Sequence, residues 1–171
     1  MRMQTALIVV VPEAEPVVGP LRAVLDPAAS WGVPAHVTVL YPFLPPHRVD
    51  GTVLAALRDV VGATPRFGAA LTRVAWFGDT VVWAAPEPDQ PFRDLTTAVW
   101  RRFPETPPYG GAYDDVVPHL TIGDGAPGPR LEHAAAAVAP HLPIPFTVGA
   151  VRLISGEPGE LWETVTEFPL R

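Results

Sequence analysis

The chain has 171 residues, 48% of them hydrophobic and 18% charged, which is enough apolar surface for a packed core and argues against disorder. A net charge of −6, with all twelve basic residues Arg, disfavours a protein that grips long duplex nucleic acid through its phosphates. The absence of Lys and Cys excludes lysyl–nucleotide and Schiff-base intermediates, P-loops, disulfides, thiol nucleophiles and Cys-based zinc sites.

Residues 5–11 (TALIVVV) read as a buried first strand. The run is short, ends in Pro12 and Glu13 and lacks a cleavage-site pattern, so it is read as a strand and not as a signal peptide. No run approaches the length of a membrane span. Residues 15–26 read as a short helix weakened by Gly19 and Pro20. A second strand, HVTVLYPF, is expected over 36–43 and is stopped by Pro45 and Pro46. Val53, Leu54, Leu57, Val60 and Val61 give 49–63 a helical spacing. Strands over 66–77 and 80–85 are joined at Gly78-Asp79 as a hairpin.

Residues 91–103 read as a helix with Phe92, Leu95, Val99 and Phe103 on one face and Pro91 in its first turn. A loop rich in Pro, Gly and Tyr, 104–115, leads into VVPHLTIG. A helix over 129–140, with AAAAVA as its packing face, precedes strands over 146–154 and 160–168. The second half repeats the order of the first: an H-x-T strand, a helix, then a hairpin. The pattern predicts one domain over 1–171 with lobe motifs at 36–85 and 119–168, each lobe mostly antiparallel strands with helices outside.

The two motifs are His36–Thr38 and His119–Thr121. In a strand, residues i and i+2 share a face, so His36 and Thr38 point one way while Val37 and Val39 point into the core. His119 and Thr121 divide from Leu120 and Ile122 in the same manner. The polar faces need a wet environment, which a cleft between lobes supplies. Two imidazoles on opposite sides of a phosphorus can act as base and acid on a phosphodiester, and two Thr hydroxyls can hold its non-bridging oxygens.

The stretches VPAHVTVLYPFLPP (33–46) and PPYGGAYDDVVPHLTIG (107–123), with their paired H-x-T-x-hydrophobic motifs, resemble the two-histidine (2H) phosphoesterase superfamily, in particular its bacterial 2′-5′ RNA ligase, or RNA 2′,3′-cyclic phosphodiesterase, branch. The resemblance covers nearly the whole chain. It implies an α+β, bilobal fold, with pseudo-two-fold-related lobes around a central cleft. It implies His36 and His119 as the acid–base pair, in exchangeable roles, and Thr38 and Thr121 as phosphate ligands. Ligase activity in the family is ATP-independent, in keeping with the missing Lys. Some relatives carry an Arg shortly after the second motif, where this chain has Gly123-Asp124.

Other residues have two readings each. Trp31, Tyr109 and Tyr113 sit in loops near the motifs and either stack a nucleobase or pack the loops. Arg73 either reaches the cleft or stays solvated, and the solvated reading is preferred. Tyr41 and Phe43 fall by alternation on the Val37–Val39 face and are expected in the core. His47, His133 and His141 lack the Thr two residues on and read as surface residues. A zinc site from His36, His119 and Asp114 or Asp115 has no supporting ligand spacing, so no metal or other cofactor is expected.

The function expected is hydrolysis of a 2′,3′-cyclic phosphate or related small phosphodiester. The alternatives are a non-catalytic phosphate- or nucleotide-binding module and ATP-independent 2′-5′ RNA end joining. The expected partner is a small phosphodiester, nucleotide or RNA end, with no membrane and no long duplex, for a cytoplasmic monomer.

Overall fold

The computed structural model describes residues 2–171. The first half contains β1 (Gln4–Val10), α1 (Glu15–Leu25), α2 (Pro27–Ser30), β2 (His36–Leu40), α3 (Gly51–Gly62) and β3 (Phe67–Phe77). The second contains β4 (Val81–Glu87), α4 (Gln90–Arg102), β5 (Leu120–Asp124), α5 (Gly128–Val138), β6 (Ile144–Val148), β7 (Ala150–Gly156) and β8 (Glu163–Pro169). Local chemistry accounts for the helix starts. The Asp50 carboxylate accepts the Val53 N–H at 2.9 Å at the head of α3, and Asp26 accepts the Ala28 N–H at 3.1 Å at the head of α2. Gly19 and Pro20 do not break α1, which runs for 11 residues.

The strands form two antiparallel four-stranded sheets, in the orders β2-β1-β7-β8 and β5-β4-β3-β6. These orders correspond strand for strand: β2 with β5, β1 with β4, β7 with β3, and β8 with β6. The α+β, two-lobed fold with a pseudo-two-fold relation is therefore as expected.

Two details differ from the sequence reading. The halves 36–85 and 119–168 are not the lobes, because β3 and β4 join the sheet of β5 while β7 and β8 join the sheet of β2. Each half sends its hairpin into the other sheet, and alternation within one strand carries no information about which strand will pair with it. The strand expected over 146–154 is two strands, broken at Gly149, where the chain leaves one sheet for the other. A Cβ at Gly149 would lie 2.8 Å from the Arg66 guanidinium, so a close approach holds the crossing point.

A continuous core lies between the sheets and the helices. Leu7, Val37 and Leu153 of one sheet, Leu71, Val82 and Leu120 of the other, and Leu57, Leu95 and Leu131 of the helices belong to a single buried cluster. A smaller cluster of Ala6, Ile8, Val33 and Ile154 lies on the opposite face of the first sheet, with Trp31, Tyr41 and Trp162 packed on it. The helices thus cover the outer faces and leave the other faces to the cleft. Among the described residues no helix is long and apolar enough to cross a membrane.

Candidate active site

β2 and β5 are each the edge strand of a sheet, and they pack against one another. Alternation along β2 buries Val37 and Val39 and leaves His36 and Thr38 half-buried, and β5 repeats this with Leu120 and Ile122 against His119 and Thr121. Thr38 stands opposite Ile8 on β1, and Thr121 stands opposite Trp83 on β4. The two rings are near enough for the charge of His119 to act on His36.

Both imidazoles are oriented by the same local device. His36 Nδ1 lies 2.7 Å from the Pro34 carbonyl, and His119 Nδ1 lies 2.7 Å from the Val117 carbonyl. A carbonyl only accepts, so each Nδ1 carries a proton, and in the neutral ring each Nε2 keeps its lone pair for other chemistry. The His36 pKa is pushed down to about 4, first by burial and then by the Arg22 and His119 charges, against the opposing Pro34 hydrogen bond. Burial also lowers His119, while the Val117 carbonyl and the Asp124 carboxylate oppose the shift. An anionic substrate between the rings would raise both.

A cavity of about 490 Å³ opens beside the second motif, lined by His119, Thr121, Phe77, Tyr109, Tyr113 and Asp124 among others. Two further hollows, of about 490 and 760 Å³, border His47 and neither is lined by a motif residue. Phe77 meets the His119 ring edge-on at 4.9 Å, Trp83 does so at 5.9 Å, and the two aromatics stack at 4.7 Å. This apolar wall gives His119 a firm backing and narrows its contact with water.

Tyr109 joins the two motifs. It lines the cavity of His119 and Thr121, and the Thr38 side chain acts on its phenol from the other strand. Burial raises the phenol's pKa and keeps it protonated. Its backbone is left-handed at φ 52°, a strained conformation for a non-glycine residue, and is tied down by donation of its N–H to the Tyr41 carbonyl at 2.6 Å. Tyr113 is 64% exposed and touches Tyr109 edge-on at 5.8 Å.

The remaining candidates divide. Trp31 packs on the small cluster of Ala6, Ile8, Val33 and Ile154, on the same face of the first sheet as Tyr41. Arg73, on β3, pairs with Ala85 of β4, lies over the Trp83 ring at 5.9 Å and forms an exposed ion pair with Glu87 at 3.8 Å. Phe43 is buried against Phe103, as expected. His47, His133 and His141 are exposed. Among the described residues no three His, Asp or Glu side chains gather as a metal site requires.

Tyr41 is a correction. It packs with Trp162 and Tyr109 on the cleft side, not in the core. The pairing of β1 with β2 shifts between Ile8↔Thr38 and Leu7↔Leu40, a bulge that buries both Val39 and Leu40 and reverses the parity after them. The carbonyl of Val39 accepts the Thr96 hydroxyl of α4 at 2.6 Å. β5 has the matching bulge: pairing with β4 shifts between Trp83↔Thr121 and Val82↔Gly123, and Asp124 is turned to the rim of the His119 cavity. Sequence reasoning missed Phe77, Trp83 and Asp124 as neighbours of His119. The hairpin at Gly78-Asp79 placed Phe77 and Trp83 near each other, but only the pairing of β4 with β5 sets them beside the motif.

Comparison with known proteins adds a family and a fold. Residues 10–160 match the family model described as the 2′-5′ RNA ligase superfamily. The apo crystal structure of E. coli LigT aligns with TM-score 0.62 at 19% identity, covering 99% of both chains. TT0787 of Thermus thermophilus aligns with TM-score 0.63 at 20% identity, over 100% of this chain and 98% of that one. A structure described as a phosphoesterase aligns with TM-score 0.63 at 15% identity, over 99% of each. Structures of E. coli LigT complexed with 3′-AMP, phosphate, ATP and NADP+ also align. No curated protein matches the sequence.

Proposed function

The chain belongs to the 2′-5′ RNA ligase superfamily, and from that premise we propose that it is a metal-independent phosphodiesterase that opens a 2′,3′-cyclic phosphate on a nucleotide or RNA end. The observation that carries this reading is the duplicated ring geometry. Two half-buried imidazoles on packed edge strands both have Nδ1 committed to a carbonyl two residues back, which leaves both Nε2 atoms free, and the charge of one ring acts on the other.

In the proposed reaction one imidazole removes a proton from water as its oxygen bonds to phosphorus. The bond from phosphorus to one ribose oxygen breaks, and the other ring, entering as imidazolium, protonates that oxygen. A nucleoside monophosphate results, and solvent resets both rings. Thr38 and Thr121, one from each sheet, donate to the non-bridging oxygens, where negative charge builds in the transition state. The apolar face of the cavity beside Phe77 and Tyr113 suits a nucleobase, and the nucleotides found with E. coli LigT support a ligand of that class.

The test is phosphorus NMR of the protein with EDTA and a panel of 2′,3′-cyclic nucleotides. Turnover is expected, and His36→Ala and His119→Ala should each reduce it by about 10²–10⁴-fold. Absence of turnover on every substrate, or full turnover in either variant, defeats the proposal.

A further inference from the structure

Each motif histidine is preceded by an arginine clamp at the same offset. Three residues before His36, the Val33 carbonyl accepts Arg22 Nη2 at 3.1 Å. Three residues before His119, the Val116 carbonyl accepts Arg93 Nη1 at 3.3 Å. Arg22 comes from α1 and Arg93 from α4, helices at corresponding places in the repeat. The carbonyl that holds each Nδ1 follows directly, from Pro34 and from Val117. Each arginine therefore fixes the turn that aims its histidine.

The clamps differ in burial. The Arg22 side chain is 3% exposed and pairs at 3.0 Å with Asp26, itself 5% exposed. Glu15 lies 3.9 Å from Arg22 and uses the same oxygen to accept the Ala35 N–H at 2.8 Å, bracing the turn from the other side. Arg93 is 30% exposed and is shared between Asp89 at 2.9 Å and Asp115 at 2.7 Å, both facing solvent. Both arginines face two carboxylates, but a buried charge acts on a neighbour through low dielectric, whereas a wet one is screened.

The surroundings of the two rings follow this division. Around His36 are Arg22 from α1, with its partners Glu15 and Asp26, and His119 from β5, and of these the Arg22 charge bears most strongly on the ring. Around His119 are Asp124 from its own strand, His36 from β2, and Asp115, Tyr109 and Tyr113 from the preceding loop.

We propose that Arg22 is a positioning residue that breaks the two-fold symmetry of the site, assigning the role of base to His36 and that of acid to His119. The inference rests on the acid–base reading above. The buried cation behind His36 opposes a proton there, whereas the carboxylate of Asp124 beside His119 favours one. Water is then activated from the β2 side, and the leaving oxygen is protonated from the β5 side, next to the cavity lined by Phe77 and Tyr113. That places the nucleoside on the His119 side of the phosphate.

The test is NMR titration of the imidazole rings in the full chain without substrate, together with the pH profile of kcat/KM. Arg22→Met should strengthen proton binding at His36 by about tenfold, one pKa unit, and leave His119 in place. The acidic limb of the profile should move to higher pH with it. Arg22→Lys should restore the wild-type limb, and Arg93→Met should leave it unmoved. If Arg22→Met does not fold, Arg22→Met/Asp26→Leu removes both buried charges, a replacement that apolar packing tolerates. An unmoved His36 titration in a folded variant, or movement of the basic limb alone, overturns the proposal. If wild-type protein opens no cyclic phosphate, the phosphodiesterase reading falls, and the ring titrations still decide whether Arg22 governs His36.

Discussion

Replacing Gly123 by alanine probes how the second motif strand is seated. Gly123 occupies the bulge of β5 that corresponds to Leu40 in β2, so the repeat read as sequence would allow a large side chain there. A Cβ at Gly123 would lie 2.6 Å from Leu131 Cδ2 of α5, 3.1 Å from Leu25 Cβ of α1 and 3.6 Å from the Leu25 carbonyl oxygen. The Leu131 methyl is fully buried and the Leu25 Cβ is fixed to its helix, so relief requires one of the helices to shift. Overpacking of this kind costs about 1–3 kcal/mol. The lower chain entropy of alanine in the unfolded state offsets roughly 0.4–1 kcal/mol. A net loss of about 1–2 kcal/mol should lower Tm by roughly 2–8 °C for a chain of this size. Leu40→Ala, at a position 1% exposed, instead leaves a cavity and should cost about 2–5 kcal/mol. Urea titration and thermal melting of the two variants check both signs. A Gly123→Ala protein as stable as wild type would show that α1 and α5 do not close on β5 as described.

Three further outcomes follow from the site and its supports. Thr38→Val and Thr121→Val should each lower kcat/KM by about 10–100-fold, the worth of one hydrogen bond to a charged oxygen, with Tm nearly unchanged; equal loss of Tm and activity would make the hydroxyls structural. Because the His36 pKa falls from 6.5 to about 4 on folding, the unfolded chain binds the extra proton. Stability should therefore be full above pH 6.5 and fall as pH drops toward 4, by up to about 3 kcal/mol from this ring alone, with His119 adding in the same direction. Urea midpoints against pH check this, and an identical slope in His36→Gln would refute it. Gly156→Ala would bring a Cβ to 2.6 Å from the rigid Trp162 ring; it should cost about 1–3 kcal/mol and alter tryptophan fluorescence, and an unchanged spectrum with unchanged Tm would contradict that contact.

Much of the site is legible in the amino-acid sequence alone. The spacing of His36 with Thr38 and of His119 with Thr121 assigns each pair to one strand face, because a pleat alternates whatever surrounds it. The apolar residues between them assign the opposite face to the core, where Val37 and Leu120 are fully buried. The recurrence of motif and helix indicates two corresponding strands, and β2 and β5 do occupy corresponding edges. Tyr41 shows where this reasoning stops. One unpaired residue at the bulge turns it from the core to the cleft, and a bulge exists only relative to a partner strand.

The sequence by itself determined the elements, their buried faces and the residue types offered to the cleft, since these follow from local periodicity and from which side chains can leave water. Only the tertiary structure decided that β3 and β7 cross to complete the opposite sheets, that Phe77 and Trp83 back His119, and that Arg22 is buried where its counterpart Arg93 is wet. Those outcomes depend on contacts between residues far apart in the chain. Strand partnership and the dielectric around a charge arise from the whole packed assembly and have no signature in a short stretch of sequence.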